Sequence, residues 1–228
     1  MATAPAPGRR GLQPDLLPGL PALDSEALRR SGSSPAAVAA HYDLPAGFFA
    51  TWLGPELVYS CACWDAADPG RNLSAAQAAK IDHFASALDV RGKRVLDVGC
   101  GWGALVRASV GRHGATEAVG LTLSEAQWSY AREHAAPASQ VRLESWVDHV
   151  PAAPYDAITC IEATEHLASD GLDPDGKVAV YAAFFERLAS WLVPEGLVGL
   201  QLILARELVK REIASITAEE VADRRQHR

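Results

Sequence analysis

From Lys93 onward the chain alternates short apolar runs with amphipathic stretches. Residues 94–98 form an apolar run that ends in glycines, the pattern of a buried parallel strand. Residues 118–122, 141–145, 155–161 and 197–204 repeat the strand pattern. Between them, residues 102–113, 124–133 and 175–192 place apolar positions at helical spacing, and Pro194-Glu-Gly196 reads as a turn before the last strand. Strands alternating with helices predict a parallel sheet covered on both faces. Upstream, Ser74 opens a predicted helix through about residue 88, preceded by short helices over 36–42 and 46–53 and a loop over 54–72.

The first 33 residues depart from this pattern. They are rich in Ala, Pro, Gly and Ser and read as a mostly disordered tail with one short helix near 25–30. The expected organisation is a tail over 1–33, a helical lid segment over 34–90 and a ligand-binding α/β domain over 91–228. At the other end, 205–228 is charged and helical in pattern. The sheet therefore reads as truncated after its fifth strand, with an exposed edge that predicts a homodimer or aggregation.

Composition narrows the partners. Of 228 residues, 49% are apolar and 21% charged, which is ordinary for a globular domain. The net charge of −7 and the lack of a basic cluster argue against nucleic acid. No sustained apolar segment reads as a leader or an integral membrane span, and a cytoplasmic location is expected. Cys61, Cys63, Cys100 and Cys160 lack zinc-ribbon spacing and read as reduced, partly buried thiols, with no metal site.

The chemistry concentrates at the carboxyl ends of the predicted strands. Asp97-Val-Gly-Cys-Gly-Trp-Gly103 joins a strand to a helix, so Gly99 and Gly101 bring backbone close to a ligand near a helix amino end. The spacing is G-x-G-x-G, whereas a dinucleotide's pyrophosphate calls for G-x-G-x-x-G. The second strand runs into Gly120-Leu-Thr-Leu-Ser124 with no carboxylate for ribose hydroxyls. Thr122 and Gln127 are the polar groups available, although Gln127 also suits a solvated helix face.

Several ordered motifs together resemble the cyclopropane fatty acid and mycolic acid cyclopropane synthase family, from about residue 37 to 202. They are His41-Tyr-Asp-Leu44, Phe48-Phe49, Tyr59-Ser-Cys61, Ala76-Gln-x-x-Lys80, the glycine loop, Gly120-Leu-Thr-Leu-Ser-x-x-Gln127 and Glu165-His166. Plant coclaurine-type N-methyltransferases share most of them. The resemblance implies a Rossmann-like class I methyltransferase that uses S-adenosyl-L-methionine and a small-molecule or lipid substrate. It implies that Tyr59 and Ser60 reach the methionine part of the cofactor, that Asp97, Gly99 and Gly101 line its loop, and that Thr122, Leu123 and Gln127 meet the ribose. Trp146 lies beside adenine on this reading, and is otherwise a core aromatic. Tyr42 is the expected pocket residue of a lid helix that also carries His41.

At the reactive end, the resemblance implies that Glu165, with Cys61, holds a bicarbonate ion that takes a proton after methyl transfer to an alkene. Gln201 replaces a histidine that the synthases often use there, and their C-terminal lipid-pocket segment is not recognised. Glu162 gives Glu-x-x-Glu-His166, which resembles the N-methyltransferases, where Glu and His act on a substrate amine. A solvated loop carboxylate is the plainer account of Glu162. Three functions follow: C-methylation or methylene transfer to an unsaturated lipid, isoprenoid or other small molecule, with Glu165 aiding proton removal; N-methylation of a small amine; and non-catalytic cofactor binding.

Overall fold

The computed structural model describes residues 23–32, 38, 42, 44–169 and 171–203. His41, the first 22 residues and the segment from 204 onward lie outside the described residues, as do the expectations that fall on them. The described elements are α1 (Ser25–Ser31), α2 (Ala46–Leu53), α3 (Leu73–Ala87), β1 (Arg94–Val98), α4 (Ala104–Gly111), β2 (Glu117–Thr122), α5 (Glu125–Glu133), β3 (Ser139–Leu143), β4 (Tyr155–Ile161), a 3-10 turn (Thr164–His166), α6 (Pro174–Trp191) and β5 (Leu192–Gln201). The strands form one sheet in the order β3-β2-β1-β4-β5, and every pair is parallel. This is the Rossmann-like architecture that the family resemblance implies.

Helix ends follow hydrogen-bonding side chains. Asn72 caps α3 by accepting from the Ala75 N–H at 2.9 Å, so the cap lies two positions before the expected Ser74. Asp173 caps α6, with Pro174 in its first turn. Helix α4 begins later than expected because Gly101 and Gly103 have positive φ and keep Trp102 out of the helix.

One expected turn is instead part of a strand. Leu192 pairs with Tyr155 and Leu197 with Ala157, so Pro194-Glu-Gly196 lies inside β5 as a bulge, with Glu195 at φ 72°. Hydrogen bonding resumes on both sides of the bulge, so the strand starts five residues earlier than its apolar pattern indicates. β3 likewise runs over Ser139–Leu143 rather than 141–145.

Part of the expected tail is built into the fold. Leu28 of α1 is buried in the core with Leu96, Ile158, Val180 and Phe184. The exposed pair Arg29–Asp148 also links α1 to the domain, but solvent screens such a pair. Burying a Leu side chain is worth about 1.5–3 kcal/mol, so Leu28 anchors the helix. Gly32 then passes so close to Leu167 that a Cβ would lie 2.1 Å from its carbonyl oxygen.

Two cores cover the sheet. Phe184, Leu188 and Trp191 of α6 pack one face, while Val95, Val106, Ala118 and Ala157 meet on the other. No helix among the described residues is long and apolar enough to cross a membrane. Phe184 is fully buried and meets Trp146 edge-on at 5.2 Å. Phe184→Ala is expected to cost about 3–5 kcal/mol in urea unfolding, through lost burial and a cavity beneath β4. A loss under about 1 kcal/mol would place this packing outside the core.

Candidate active site

β1 pairs with β2 on one side and β4 on the other, so the chain segments leaving these strands diverge above their carboxyl ends. A cavity of about 1000 Å³ opens there. Gly99 has φ 74°, and a Cβ on it would lie 2.3 Å from the Ala163 Cβ, so only glycine lets the two loops approach. At Gly101 (φ 53°) a Cβ would meet nothing within 4 Å. That open space is the cavity itself, whose wall includes Gly99, Gly101 and Trp102.

Asp97 lies beneath the loop, buried, and accepts from the Thr159 hydroxyl at 2.7 Å. Burial pushes its carboxyl up to about 6, against the opposing effects of the Thr159 hydrogen bond and the nearby Lys80 ammonium. At the end of β2, the Thr122 hydroxyl donates to Gln127 Oε1 at 2.8 Å. This leaves the Gln127 Nε2 as that side chain's donor. Gln127 is buried and on the cavity wall with Thr122 and Leu123, which rules out a solvated helix residue. Trp146 packs on Phe184 and also lines the cavity.

Helix α3 holds the Tyr59-Ser-Cys61 segment against the cavity. Gln77 and Lys80, three residues apart on one helical face, reach it together. The Gln77 amide donates to the Ser60 carbonyl at 2.8 Å and the Lys80 ammonium donates to the Ser60 hydroxyl. Lys80 is only 3% exposed, and burial lowers its ammonium to about 8 although Glu162, Asp97 and Cys61 oppose that shift. It therefore stays a cation at neutral pH. Tyr59 meets Tyr42 edge-on at 5.9 Å, and both line the cavity with Ser60. Gln77 and Lys80 both belong to the Ala76-Gln-x-x-Lys80 motif of the family resemblance, in which their shared target Ser60 was not legible.

The mouth of β4 carries two carboxylates in different settings. Glu162 Oε1 accepts from the Cys61 N–H at 2.9 Å and from the Gln201 amide at 2.7 Å. The Gln201 amide also donates to the Cys61 carbonyl at 3.1 Å. Glu162 is thus no solvated loop carboxylate. It stands on the wall of both the main cavity and a neighbouring one of about 450 Å³, which Cys61, Lys80 and Gln201 also line. The Cys61 thiol is raised, chiefly by a hydrogen bond to Glu162. Glu165 instead accepts from the Ile203 N–H and from the Thr164 hydroxyl, and is not among the residues lining either cavity. His166 lines the main cavity. Tyr42 is raised by burial and by the nearby Tyr59, Glu165 and Glu162.

Two expectations change here. Cys61 and Cys63 are exposed thiols; only Cys100 and Cys160 are buried. The bicarbonate implied by the family resemblance does not fit the residues present, because Glu162 already occupies the Cys61 N–H and the Gln201 amide. Sequence reasoning also missed Leu28, Arg29 and Gly32, which α1 brings to the cavity wall, and Glu144, which is linked through buried His149 to the Tyr155 hydroxyl.

Comparison with known proteins follows this geometry. The family model described as mycolic acid cyclopropane synthetase matches residues 30–221. The hydroxymycolate synthase MmaA4 of Mycobacterium tuberculosis is 38% identical over 142 residues, covering 60% of this chain and 46% of that protein. Among solved structures, mycolic acid cyclopropane synthase CmaA1 complexed with SAH and CTAB superposes with a TM-score of 0.64 at 34% identity, covering 75% of this chain and 57% of the other. Coclaurine N-methyltransferase bound to N-methylheliamine and SAH has a TM-score of 0.65 at 24% identity, covering 77% of this chain and 49% of the other, a likeness of fold. The chain spans about half the length of the curated relatives it matches.

The setting of Asp97 gives a pH signature. Its carboxyl titrates near 6 in the fold and near 3.8 when unfolded. Between those values the folded state holds more protons, so this group's contribution makes stability fall as pH rises from about 4 to 6. Asp97→Asn is expected to remove that fall and to be more stable above pH 6, by up to about 3 kcal/mol. Urea unfolding across pH 4.5–7.5 checks this; a variant less stable at pH 7.5 contradicts it.

Proposed function

The chain belongs to the mycolic acid cyclopropane synthetase family, and from that premise we propose that it is an S-adenosylmethionine-dependent methyltransferase that alkylates a carbon of an unsaturated lipid. The observation that carries this reading is the cavity over β1, β2 and β4, in which the glycine loop, Gln127 and Trp146 surround a space of about 1000 Å³ beside the Glu162 carboxylate.

The residues present suit the cofactor. Gly99 and Gly101 give backbone approach for its amino-acid end, with Tyr59 and Ser60 opposite. The Gln127 amide suits a ribose hydroxyl, and Trp146 offers an aromatic face to adenine. The cofactor supplies an activated methyl on a sulfonium. The SAH bound in the CmaA1 structure is the demethylated form of that cofactor. Positioning in line with the acceptor supplies much of such catalysis. What remains for the protein is the proton: an alkene carbon that gains a methyl group leaves a cation that must lose one. A carboxylate at the mouth of β4 suits that task, and the family resemblance gives Glu165 the part of aiding the removal without itself taking the proton.

Titration calorimetry is expected to detect binding of S-adenosylmethionine and none of NAD, and Gly101→Leu is expected to abolish it by filling the cradle. Unchanged affinity in that variant would refute the loop's role. With labelled cofactor and vesicles of unsaturated phospholipid, Glu165→Gln is expected to lower turnover at least about a hundredfold while cofactor affinity changes little. Near-normal turnover, or a parallel loss of binding, would remove Glu165 from the chemistry.

A further inference from the structure

We propose that Glu162 is a built-in anion, which takes the seat and the proton-accepting task that the family resemblance implies for bicarbonate, so that this chain works without a recruited ion. The inference rests on the methyltransferase reading above and deepens it.

A carboxylate and a bicarbonate present the same planar pair of anionic oxygens. Here the two donors that would hold such an ion, the Cys61 N–H and the Gln201 amide, both converge on Glu162 Oε1. The seat is also electrically suited to an anion, because the Lys80 ammonium is buried nearby. Glu162 adopts φ 49°, a backbone conformation that side-chain-bearing residues rarely hold. The backbone is kept there by its own ladder bond, from the Glu162 N–H to the Gln201 carbonyl at 2.7 Å. A glycine would take that conformation freely, so the strained carboxylate is a local departure with a use. Its place on the wall shared by the two cavities puts it between the cofactor space and the side that Ile203 and Phe84 line.

The step balances without a further reactant. The alkene π pair forms the new C–C bond to the methyl carbon while the C–S bond breaks and its pair stays on sulfur. A C–H bond of the new methyl group gives its electron pair to a ring bond with the cationic carbon, or a C–H bond next to the cation gives its pair to a new double bond. The proton goes to the Glu162 carboxylate and then to water.

The test uses the full chain and the Cys61 thiol as reporter, with the nearby Cys63 as internal reference. Iodoacetamide labelling is followed by peptide mass spectrometry at pH 8, with and without bicarbonate. In the natural protein, bicarbonate is expected to leave Cys61 labelling unchanged. Glu162→Gly opens the seat and suits the backbone; Cys61 labelling is expected to speed roughly tenfold and to be slowed again by bicarbonate or formate. Bicarbonate protection of Cys61 in the natural protein would overturn the proposal, and that arm does not depend on any variant folding. Lack of protection in a folded Glu162→Gly variant, verified by its unfolding transition, would overturn it as well. On vesicles of unsaturated phospholipid, turnover of the natural protein is expected to ignore bicarbonate removal, and that of Glu162→Gly to require bicarbonate or formate. If no form methylates any lipid, the substrate reading fails, while the labelling result still decides who occupies the seat.

Discussion

The reversal of strand order at β1 is the constraint from which the site follows. Because β1 pairs with β2 on one side and β4 on the other, the loops after β1 and β4 leave the sheet in different directions, and a gap opens above the strand ends. Everything functional is arranged around that gap. The glycine loop crosses it at a distance only Gly99 permits, since Ala163 after β4 would collide with any side chain. The same crossing puts Asp97 and Thr159 side by side in register, where their hydrogen bond ties the two strands at the base of the cavity.

A second set of ties closes the gap from above. Gln77 and Lys80 on α3 grip Ser60, and Glu162 grips Cys61 and Gln201. Three segments far apart in sequence thereby meet at one carboxylate. The electrostatics favour this meeting: a buried lysine lowered only to about 8 remains charged at neutral pH and offsets the nearby Glu162 and buried Asp97. Removing Lys80 would leave Glu162 and Asp97 without that compensating charge.

Much of this was legible in the sequence where a signal is local. β1, β2 and β4 show as short apolar runs, and the loop after β1 announces itself through three spaced glycines. Helix ends were less legible because they depend on which side chain wins the cap, as Asn72 does over Ser74. The bulge in β5 was hidden because Pro194-Glu-Gly196 has turn chemistry whether or not pairing resumes after it. Helix α1 was read as part of a tail because its composition is that of a linker, and only the burial of Leu28 ties it down. The setting of Glu162 lay furthest out of reach: the motif supplies the carboxylate, but its partner Cys61 lies 101 positions away, and no local pattern records that contact.

The account turns on where the Glu162 carboxylate sits when the cofactor is bound. A crystal structure of the full chain with S-adenosylmethionine, grown in saturating bicarbonate, measures this directly. The account predicts cofactor density over Gly101 between Gln127 and Trp146, the Glu162 carboxylate on the Cys61 N–H and the Gln201 amide, and no separate planar anion. A Glu162 side chain swung out to solvent, with a bicarbonate ion on Cys61 and Gln201, would contradict it.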